Sequence, residues 1–415
     1  MMIARLKSYL FATRNLSSLI DQILVSGGNF LTIAICAHVL PLSEQGKFTY
    51  IFASYMALLL LNMAGIFQGA AVRAPAQEHD PYKISLARFQ LLQALLLSLL
   101  VCAAWFGVGN FFGWQATTTE AGLLFAFLVM QQLADFDRRS AYIFSGTRRA
   151  IYSSATLYPI RIIGLLIFRP DTVSQVLMVL SASALIPAVL TLLTIGKNRG
   201  GSAQSWALSI KEHLTYSRLF IAGAPLSWLW SYIPTFMLGV MHGKEQVALL
   251  SSIRGICGMA NVLMEQIEIK VVADWARVHH EEGAHVMEAA VSRLFKIGVA
   301  FWLLTMTAIV VFGQEIVALV LGDLYASHWH LLVIAWAGYG VYFIARIFAI
   351  KHRIFGANHI EFIGNMSGVM AALSAGYVMI PALKATGAAW VYVIIAAAML
   401  ISQMLVLKSG KIIPK

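Results

Sequence analysis

Residues 173–195 read VSQVLMVLSASALIPAVLTLLTI, a run of 23 residues that contains no charged side chain. As an α-helix this run would be about 35 Å long, enough to cross the hydrocarbon core of a bilayer, which is about 30 Å thick. A surface helix of a soluble protein would need a polar face along its whole length, and this run has none. The stretch therefore predicts a transmembrane helix.

Eleven further apolar runs of 19 to 26 residues lie on either side of this stretch. They cover residues 16–40, 47–72, 86–108, 121–143, 150–168, 218–241, 246–269, 294–313, 328–350, 359–381 and 385–407. The chain is 59% hydrophobic and only 12% charged, which is about half the charged share of a soluble domain. The sequence therefore predicts an all-α polytopic membrane protein of about twelve transmembrane helices.

The distribution of Lys and Arg predicts how these helices are oriented. With the N-terminus inside, 23 of the 30 Lys and Arg residues fall in cytoplasmic segments, and the external loops hold only Lys47, Arg169, Lys244 and Lys384. Because positive charge concentrates on the cytoplasmic side, both termini are predicted to be cytoplasmic. The net charge of +11 then reflects cytoplasmic loops that face anionic lipid headgroups, and we expect no nucleic-acid partner.

A polar segment divides the predicted helices into two groups of six. Residues 197–217, which contain Gly200-Gly201-Ser202, are predicted to form a cytoplasmic linker. The linker separates an N-terminal six-helix lobe, residues 1–196, from a C-terminal six-helix lobe, residues 218–415.

Two other features bear on this organisation. Ser43-Glu44-Gln45 precedes the second predicted helix and Lys244-Glu245-Gln246 precedes the eighth, which suggests that the lobes are a duplicated unit. Residues 270–293, the other long cytoplasmic segment, have apolar positions at helical spacing and are predicted to form an interfacial helix.

Two arginines are predicted to lie inside the membrane, at matching depths in the two lobes. Arg161 is about seven residues from the outer end of its helix and Arg254 about eight, so each lies roughly 10–12 Å below the outer face. Charged residues at such depths are costly and are commonly functional. Two guanidinium groups could grip a phosphate, whereas the structural alternative is that each pairs with a carboxylate or extends to the interface.

The helix that carries Arg254 has further polar residues on the same face. Asn261, Glu265 and Glu268 lie within about 40° of Arg254 at 100° per residue. A polar stripe of this kind is predicted to face a water-filled cavity or another helix, because lipid contact would be far costlier. A polar seam between helices is the structural alternative.

Acidic residues in other helices suggest a site for ion coupling. Asp21 lies about one turn inside the predicted cytoplasmic boundary, and Asp135 lies at the inner end of the fourth helix. Either of these, or Glu265, could exchange a proton or hold a sodium ion. Pairing with Arg138 or Arg139 is an equally plausible role for the aspartates.

The sequence has no motif for a cofactor, a metal or catalysis. His280 and His285 are five residues apart, whereas two metal ligands on one helical face need a spacing of four. There is no phosphate-binding loop and no nucleophilic serine motif. The external loops are short, which disfavours a membrane-embedded glycan transferase or ligase. We therefore expect a protein that is not an enzyme.

Several short motifs carry a resemblance to a known family. They are residues 21–30 (DQILVSGGNF), 42–48 (LSEQGKF), 145–149 (SGTRR), 223–225 (GAP) and 387–390 (GAAW). With the length, the twelve predicted helices and the six-plus-six arrangement, they make the chain resemble the polysaccharide repeat-unit (Wzx-like) flippases. That family belongs to the superfamily of MATE drug exporters and lipid II flippases.

The resemblance implies two six-helix lobes around a central cavity with a cationic lining, in a bacterial cytoplasmic membrane. The substrate implied is an undecaprenyl-diphosphate-linked oligosaccharide, flipped by alternating access with proton or sodium coupling, beside a polysaccharide polymerase or export complex. Arg148 and Arg149 would attract the anionic head at the inner mouth. Many relatives carry an acid in the outer half of the seventh helix, and residues 232–239 have none. A MATE-like exporter of drugs or small cations is the alternative.

Overall fold

The computed structural model describes residues 13–73, 79–111, 116–196, 203–354 and 359–408. These residues are almost entirely helical, and none of them forms a strand, so the all-α prediction is confirmed. The helices are α1 (Thr13–Val39), α2 (Leu42–Asn62), α3 (Gln68–Arg73), α4 (His79–Phe111), α5 (Thr118–Phe144), α6 (Thr147–Phe168), α7 (Val173–Gly196), α8 (Ala203–His242), α9 (Lys244–Glu282), α10 (Ala284–Leu321), α11 (Asp323–Ala326), α12 (His330–Ile354) and α13 (His359–Lys408). A π-helical turn, Met63–Phe67, joins α2 to α3.

Each of the twelve predicted transmembrane segments overlaps one of these helices. Eight helical stretches among the described residues are long and apolar enough to cross a membrane by length and composition. One of them, His359–Val406, covers both of the last two predicted segments. The two segments meet at Lys384, where a non-helical backbone (φ 52°, ψ −131°) interrupts α13. The predicted segments in α5, α8 and α9 are not among the eight. In α5 the reason is its polar inner half, and in α9 many side chains lie outside the described residues.

Glycines with a left-handed backbone make four of the helix junctions. Gly146, Gly243, Gly283 and Gly322 have φ between 85° and 94°, and each immediately precedes a helix. A residue with a Cβ atom is strained at such angles, so glycine allows one helix to follow another after a single residue at Gly243, Gly283 and Gly322, and after two residues, Ser145 and Gly146, between α5 and α6. At the start of α5 a side chain caps the helix instead: the Thr117 hydroxyl accepts a hydrogen bond from the Glu120 amide at 3.1 Å.

The chain divides into two compact units, Met1–Pro225 and Leu226–Lys415. The boundary lies within α8, further along the chain than the predicted linker, 197–217. From residue 203 onwards this segment is helical, and its side chains Ile210, His213 and Ser217 are buried. His213 donates from Nε2 to the carbonyl oxygen of Gly65 in the π-helical turn at 2.8 Å. These contacts make the second half of the predicted linker a part of the first unit.

The first unit is built around α5, which contacts α2, α4, α6 and α7. Every residue from Gln131 to Arg138 is buried. Most of these side chains carry an amide or a charge, so they must find their hydrogen-bond partners inside the unit. The inner half of α5 is therefore the place where polar networks of the first unit are expected.

The second unit has α12 as its central helix, in contact with α9, α10 and α13. The separate interfacial helix predicted for 270–293 is wrong: α9 continues to Glu282, and α10 begins after Gly283. Trp275 and Met287 on the two sides of this junction are buried against Ile347 and Ile350 of α12. The apolar positions in this segment thus pack within the unit, and the periodicity that suggested a lipid interface reflects helix–helix packing.

Candidate functional site

Arg161 of α6 is enclosed by the first unit. Its side chain donates from Nη2 to Gln131 Oε1 at 2.7 Å and from Nη1 to Asn29 Oδ1 at 3.4 Å, and its guanidinium lies 5.0 Å from the centre of the Tyr158 ring. Only 3% of the residue is exposed. No carboxylate of the described residues lies within ion-pair distance. Arg161 is therefore held by neutral amides and an aromatic ring, with almost no surface left for a ligand.

Arg254 of α9 has a different environment in the second unit. Its Nη1 donates to the backbone oxygen of Ser231 at 3.0 Å, and Tyr339 also forms a hydrogen bond with its side chain. Its guanidinium lies 4.1 Å from the centre of the Tyr392 ring and 5.9 Å from that of Tyr232. Among the residues the structure describes, no acidic side chain pairs with it. Tyrosine rings and one carbonyl thus orient the guanidinium without neutralising its charge.

The side chains of Arg161 and Arg254 also differ in how much of each is exposed. Arg254 remains partly exposed in the folded chain, whereas Arg161 is buried. A guanidinium has five N–H donors, and the bonds to Ser231 and Tyr339 leave several of them available. Planar, charged donors of this kind bind phosphate or carboxylate oxygens well. Arg254 is therefore the better placed of the two predicted arginines to bind an anion.

The Tyr392 ring, which lies over the Arg254 guanidinium, is held in place by further hydrogen bonds. Tyr392 donates its hydroxyl to the Ser231 carbonyl at 2.9 Å, and the Thr235 hydroxyl lies 2.9 Å from the Tyr392 oxygen. The same carbonyl therefore accepts from both Arg254 and Tyr392. Pro234, three residues further along α8, has no N–H, so the carbonyl of Trp230, four residues before it, lacks its helical partner.

The other predicted residues of this stripe lie beyond Arg254 on α9. The backbone of α9 is helical throughout Lys244–Glu282, as the stripe requires. The side chains of Asn261, Glu265 and Glu268 lie outside the described residues. Their roles stay predictions.

Asp21 and Asp135 form one buried cluster with two arginines in the first unit. Asp21 Oδ2 accepts from Arg138 Nη1 at 3.0 Å and from the Tyr142 hydroxyl at 2.6 Å, and its Oδ1 accepts from the Ser154 hydroxyl. Asp135 accepts from Arg139 Nε at 2.7 and 2.8 Å.

A longer contact of 3.4 Å joins Asp135 to Arg138, so Arg138 bridges the two aspartates. The structure thus shows the pairing with Arg138 and Arg139 that was the alternative to an ion site.

The two arginines predicted at the inner mouth differ in whether a neighbouring carboxylate offsets their charge. Arg149 donates to Asp137 Oδ1 at 3.0 Å, so a neighbouring carboxylate already offsets its charge. Arg148 is exposed, and within the described part of the chain no acid pairs with it. Only Arg148 keeps an uncompensated charge that could attract an anionic molecule over a distance.

The tyrosines that surround Arg254 were not predicted from the sequence. Tyr232, Tyr339 and Tyr392 come from three different helices, and nothing in their spacing connects them. Their neighbours in the sequence are apolar, so each reads as an ordinary amphipathic residue of a transmembrane helix. The one available signal was a deep arginine without an acid at helical spacing on its own helix turn, which implies partners from elsewhere.

Comparison with known proteins finds similarity in structure and none in sequence. No family model matches the chain, and no curated protein matches it. Among solved structures, the lipid II flippase MurJ in an inward closed conformation is 12% identical with a TM-score of 0.70, over 95% of this chain and 87% of that chain.

Two multidrug transporters are also similar. A MATE family transporter of the MOP superfamily, in an inward-facing conformation, is 13% identical with a TM-score of 0.65, over 94% of each chain. A mutant of the Vibrio cholerae MATE transporter VcmN is 14% identical with a TM-score of 0.64, over 98% of each chain. At these identities the similarity establishes the fold alone. The chain is a multi-pass membrane protein with the fold of the MOP-superfamily transporters.

Proposed function

We propose that the protein is a flippase that moves an undecaprenyl-diphosphate-linked oligosaccharide from the cytoplasmic to the outer leaflet of a bacterial cytoplasmic membrane. Alternating access, driven by an ion gradient, would move the charged head while the lipid tail stays in the bilayer. The fold supports a transporter, since its structural neighbours include a lipid flippase and drug exporters and no enzyme among those compared above.

The environment of Arg254 is the observation that favours a diphosphate as part of the substrate. A diphosphate needs cationic donors in a place that water only partly fills, where charge-assisted hydrogen bonds are stronger than in water. Arg254 meets this need, because it is partly exposed and no described carboxylate competes for it. Exposed Arg148 would add long-range attraction for the head at the cytoplasmic side. Membrane lipids and a polysaccharide polymerase or export complex are the partners this role implies.

The coupling ion would act in the first unit. Asp21 and Asp135 are buried, but arginines and hydroxyl groups already occupy their oxygens. A proton or sodium ion could bind there only when Arg138 or Arg139 withdraws. The aspartate cluster would then exchange an internal cation for an external one as the protein changes conformation.

A MATE-like exporter of drugs or small cations is the second candidate, and the structural similarity to MATE transporters favours it. A cationic drug would need an accessible acidic group. The buried aspartates among the described residues of the first unit, Asp21, Asp135 and Asp137, each have a basic partner, and the accessible charge near the tyrosines is positive. These charges favour an anionic substrate.

The test is polysaccharide export by cells that carry Arg254 variants, normalised to the amount of protein in the membrane. Arg254→Gln should abolish export at near-normal abundance. Arg254→Lys should keep partial export, because an ammonium attracts phosphate without the planar, two-point bonding of a guanidinium. Arg346→Gln is the matched control: Arg346 lies in the same unit, but it pairs with Glu361 at 2.7 Å, and a partly exposed pair contributes little.

Full export by Arg254→Gln at normal abundance would contradict the proposed role of this residue. Loss of resistance to a cationic drug, with export unchanged, would favour the MATE-like alternative.

A further inference from the structure

Four polar or aromatic side chains of the second unit form a cluster beside one turn of α8: Ser227 and Trp230 of α8, Tyr342 of α12 and Asn365 of α13. The Trp230 indole donates from Nε1 to Asn365 Oδ1 at 3.2 Å, and the Asn365 amide donates to the Ser227 hydroxyl at 3.4 Å. The Trp230 and Tyr342 rings pack with their centres 5.5 Å apart and their planes tilted by 44°. The cluster thus combines two aromatic rings with an amide and a hydroxyl group.

This cluster is more open than the structural polar networks of the same protein. All four side chains are partly exposed. In the first unit, by contrast, Asn62 donates to Gln132 at 3.3 Å and Gln132 to Ser98 at 3.0 Å, and each of these residues is at most 1% exposed. The partial exposure of the cluster leaves room for a ligand to reach its polar groups, which the buried amides of the first unit do not offer.

The polar groups of the cluster also keep donors and acceptors that a ligand could use. The bond of 3.2 Å is at the long end of the usual range for N–H···O bonds, and the contact of 3.4 Å is longer than that range. An amide has two donors and an acceptor with two lone pairs, so Asn365 keeps capacity for another partner. A hydroxyl-bearing ligand could therefore bond to Asn365 or Ser227 without leaving a buried group unpaired.

The cluster adjoins Arg254 through a single residue. Ser231, whose carbonyl binds the Arg254 guanidinium at 3.0 Å, directly follows Trp230 in α8. Its hydroxyl donates to the Ser227 carbonyl at 2.9 Å, one turn earlier in the same helix. One turn of α8 thus presents a site for an anion and, beside it, a surface of rings, amide and hydroxyl. No acid of the described residues forms an ion pair in this cluster.

We infer that Ser227, Trp230, Tyr342 and Asn365 bind the sugar ring that is attached directly to the diphosphate. A sugar ring has an apolar C–H face, which packs against an aromatic ring, and hydroxyl groups at its edge, which bond to amides and hydroxyls. The inference rests on the proposed function and names the part of the substrate that Arg254 does not contact. The sugar bound here is uncharged, since the cluster supplies no charge to pair with.

The test compares two ligands with the purified full-length protein: undecaprenyl diphosphate, and undecaprenyl diphosphate bearing one N-acetylhexosamine. The ratio of their dissociation constants isolates the sugar. We expect the sugar-bearing lipid to bind roughly tenfold more tightly to the wild-type protein. Trp230→Ala should reduce this ratio to about one and leave binding of the bare lipid unchanged, whereas Arg254→Gln should weaken both ligands by the same factor.

Two further variants guard against a folding defect. Trp230→Phe keeps an aromatic ring and loses the bond to Asn365, so it should keep part of the ratio. Trp336→Ala is the matched control, because Trp336 lies in the same unit and makes one comparable side-chain bond, to Thr305 at 3.1 Å. It should leave the ratio unchanged.

The outcomes separate the two claims. If the wild-type protein binds neither lipid, the proposed function fails and the inference fails with it. If it binds both lipids equally, the inference alone is overturned. Equal weakening of both lipids by Trp230→Ala would likewise overturn it, since that result would show that the cluster only joins helices.

Discussion

Arg254 of the second unit differs in its surroundings from the described arginines in the core of the first unit. In the first unit, Arg138, Arg139 and Arg149 each bond to a carboxylate, and Arg161 is enclosed by two amides and a tyrosine ring. In the second unit, Arg254 is bounded by tyrosines and a backbone carbonyl and remains partly exposed.

A buried guanidinium whose contacts all lie inside the protein stabilises the fold, because breaking those contacts leaves charges or amides unpaired. Arg161 has no carboxylate partner among the described residues and its Nε is buried without a bond, but its exposure of 3% leaves almost no surface for a ligand. A partly exposed guanidinium that is oriented without being neutralised can still gain from an anion. The comparison therefore assigns structure to the first set and ligand binding to Arg254. Arg161 and Arg254 are predicted at matching depths in the membrane, so the difference lies in their surroundings.

The largest expected effect is an all-or-none difference in thiol labelling. It tests on which side of the membrane particular residues of each unit lie. Single cysteines at Thr118 in the first unit and Lys384 in the second should react from outside with an impermeant thiol reagent. Cysteines at Arg148 and Arg353 should not. A cysteine-free background is suitable, since the three native cysteines are buried. A reversed pattern would place the aspartate cluster near the outer face and Arg254 near the cytoplasm, contrary to the orientation predicted from positive charge.

Next in size is the effect of breaking the aspartate cluster. Asp21→Leu removes a fully buried carboxylate and leaves Arg138 without its closest partner. Removing one member of a buried pair costs roughly 3–5 kcal/mol in the free energy of unfolding. The membrane abundance and the denaturation temperature of the purified protein should both fall.

The double variant Asp21→Leu/Arg138→Met is the control, since it removes both charges and leaves Asp135 bonded to Arg139. It should regain most of the lost stability. If the single variant were as stable as wild type, the pairing of Asp21 with Arg138 would not stabilise the fold, and the proposed exchange of cations would be the one role left for the cluster.

A small effect is expected from Tyr392→Phe. The variant keeps the ring 4.1 Å from the Arg254 guanidinium and loses the hydroxyl that donates to Ser231. The lost hydrogen bond should lower stability by about 0.5–1.5 kcal/mol. Export should fall only in part, because Arg254 keeps its charge and its own bond to Ser231. Tyr392→Leu, which also removes the ring, should lower export further, and equal export by the two variants would argue against the ring as an orienting contact.

Much of the fold could be predicted from the sequence. Uninterrupted apolar runs fix helical spans, because the backbone inside a bilayer must satisfy its own hydrogen bonds. The hairpin at Lys384 was visible as a single basic residue between two such runs. The interfacial helix failed because apolar spacing is the same whether a helix lies on lipid or packs on α12, as Trp275 and Met287 do.

The partners of the site residues could not be predicted, because they come from distant parts of the chain. Asp21 and Arg138 are 117 residues apart. The repeated motifs are also misleading guides. Glu44 pairs with Lys47 at 2.9 Å and accepts the Val173 amide at 3.0 Å, whereas its counterpart Glu245 is exposed. Glu44 and Glu245, which the short sequence repeat matches to each other, thus have different environments.

The difference between Arg254 and Arg161 is tested most directly by measuring ligand affinity and stability for one variant of each residue. Undecaprenyl diphosphate would be titrated into the purified wild-type protein, Arg254→Gln and Arg161→Gln, and the denaturation temperature of each would be recorded without ligand. We expect Arg254→Gln to weaken binding by about tenfold to a hundredfold, the effect of one charge-assisted contact, with a nearly unchanged denaturation temperature. Arg161→Gln should lower the denaturation temperature and leave the affinity unchanged. Wild-type affinity in Arg254→Gln, or a specific loss of affinity in Arg161→Gln, would contradict the assignment of structure to one arginine and binding to the other.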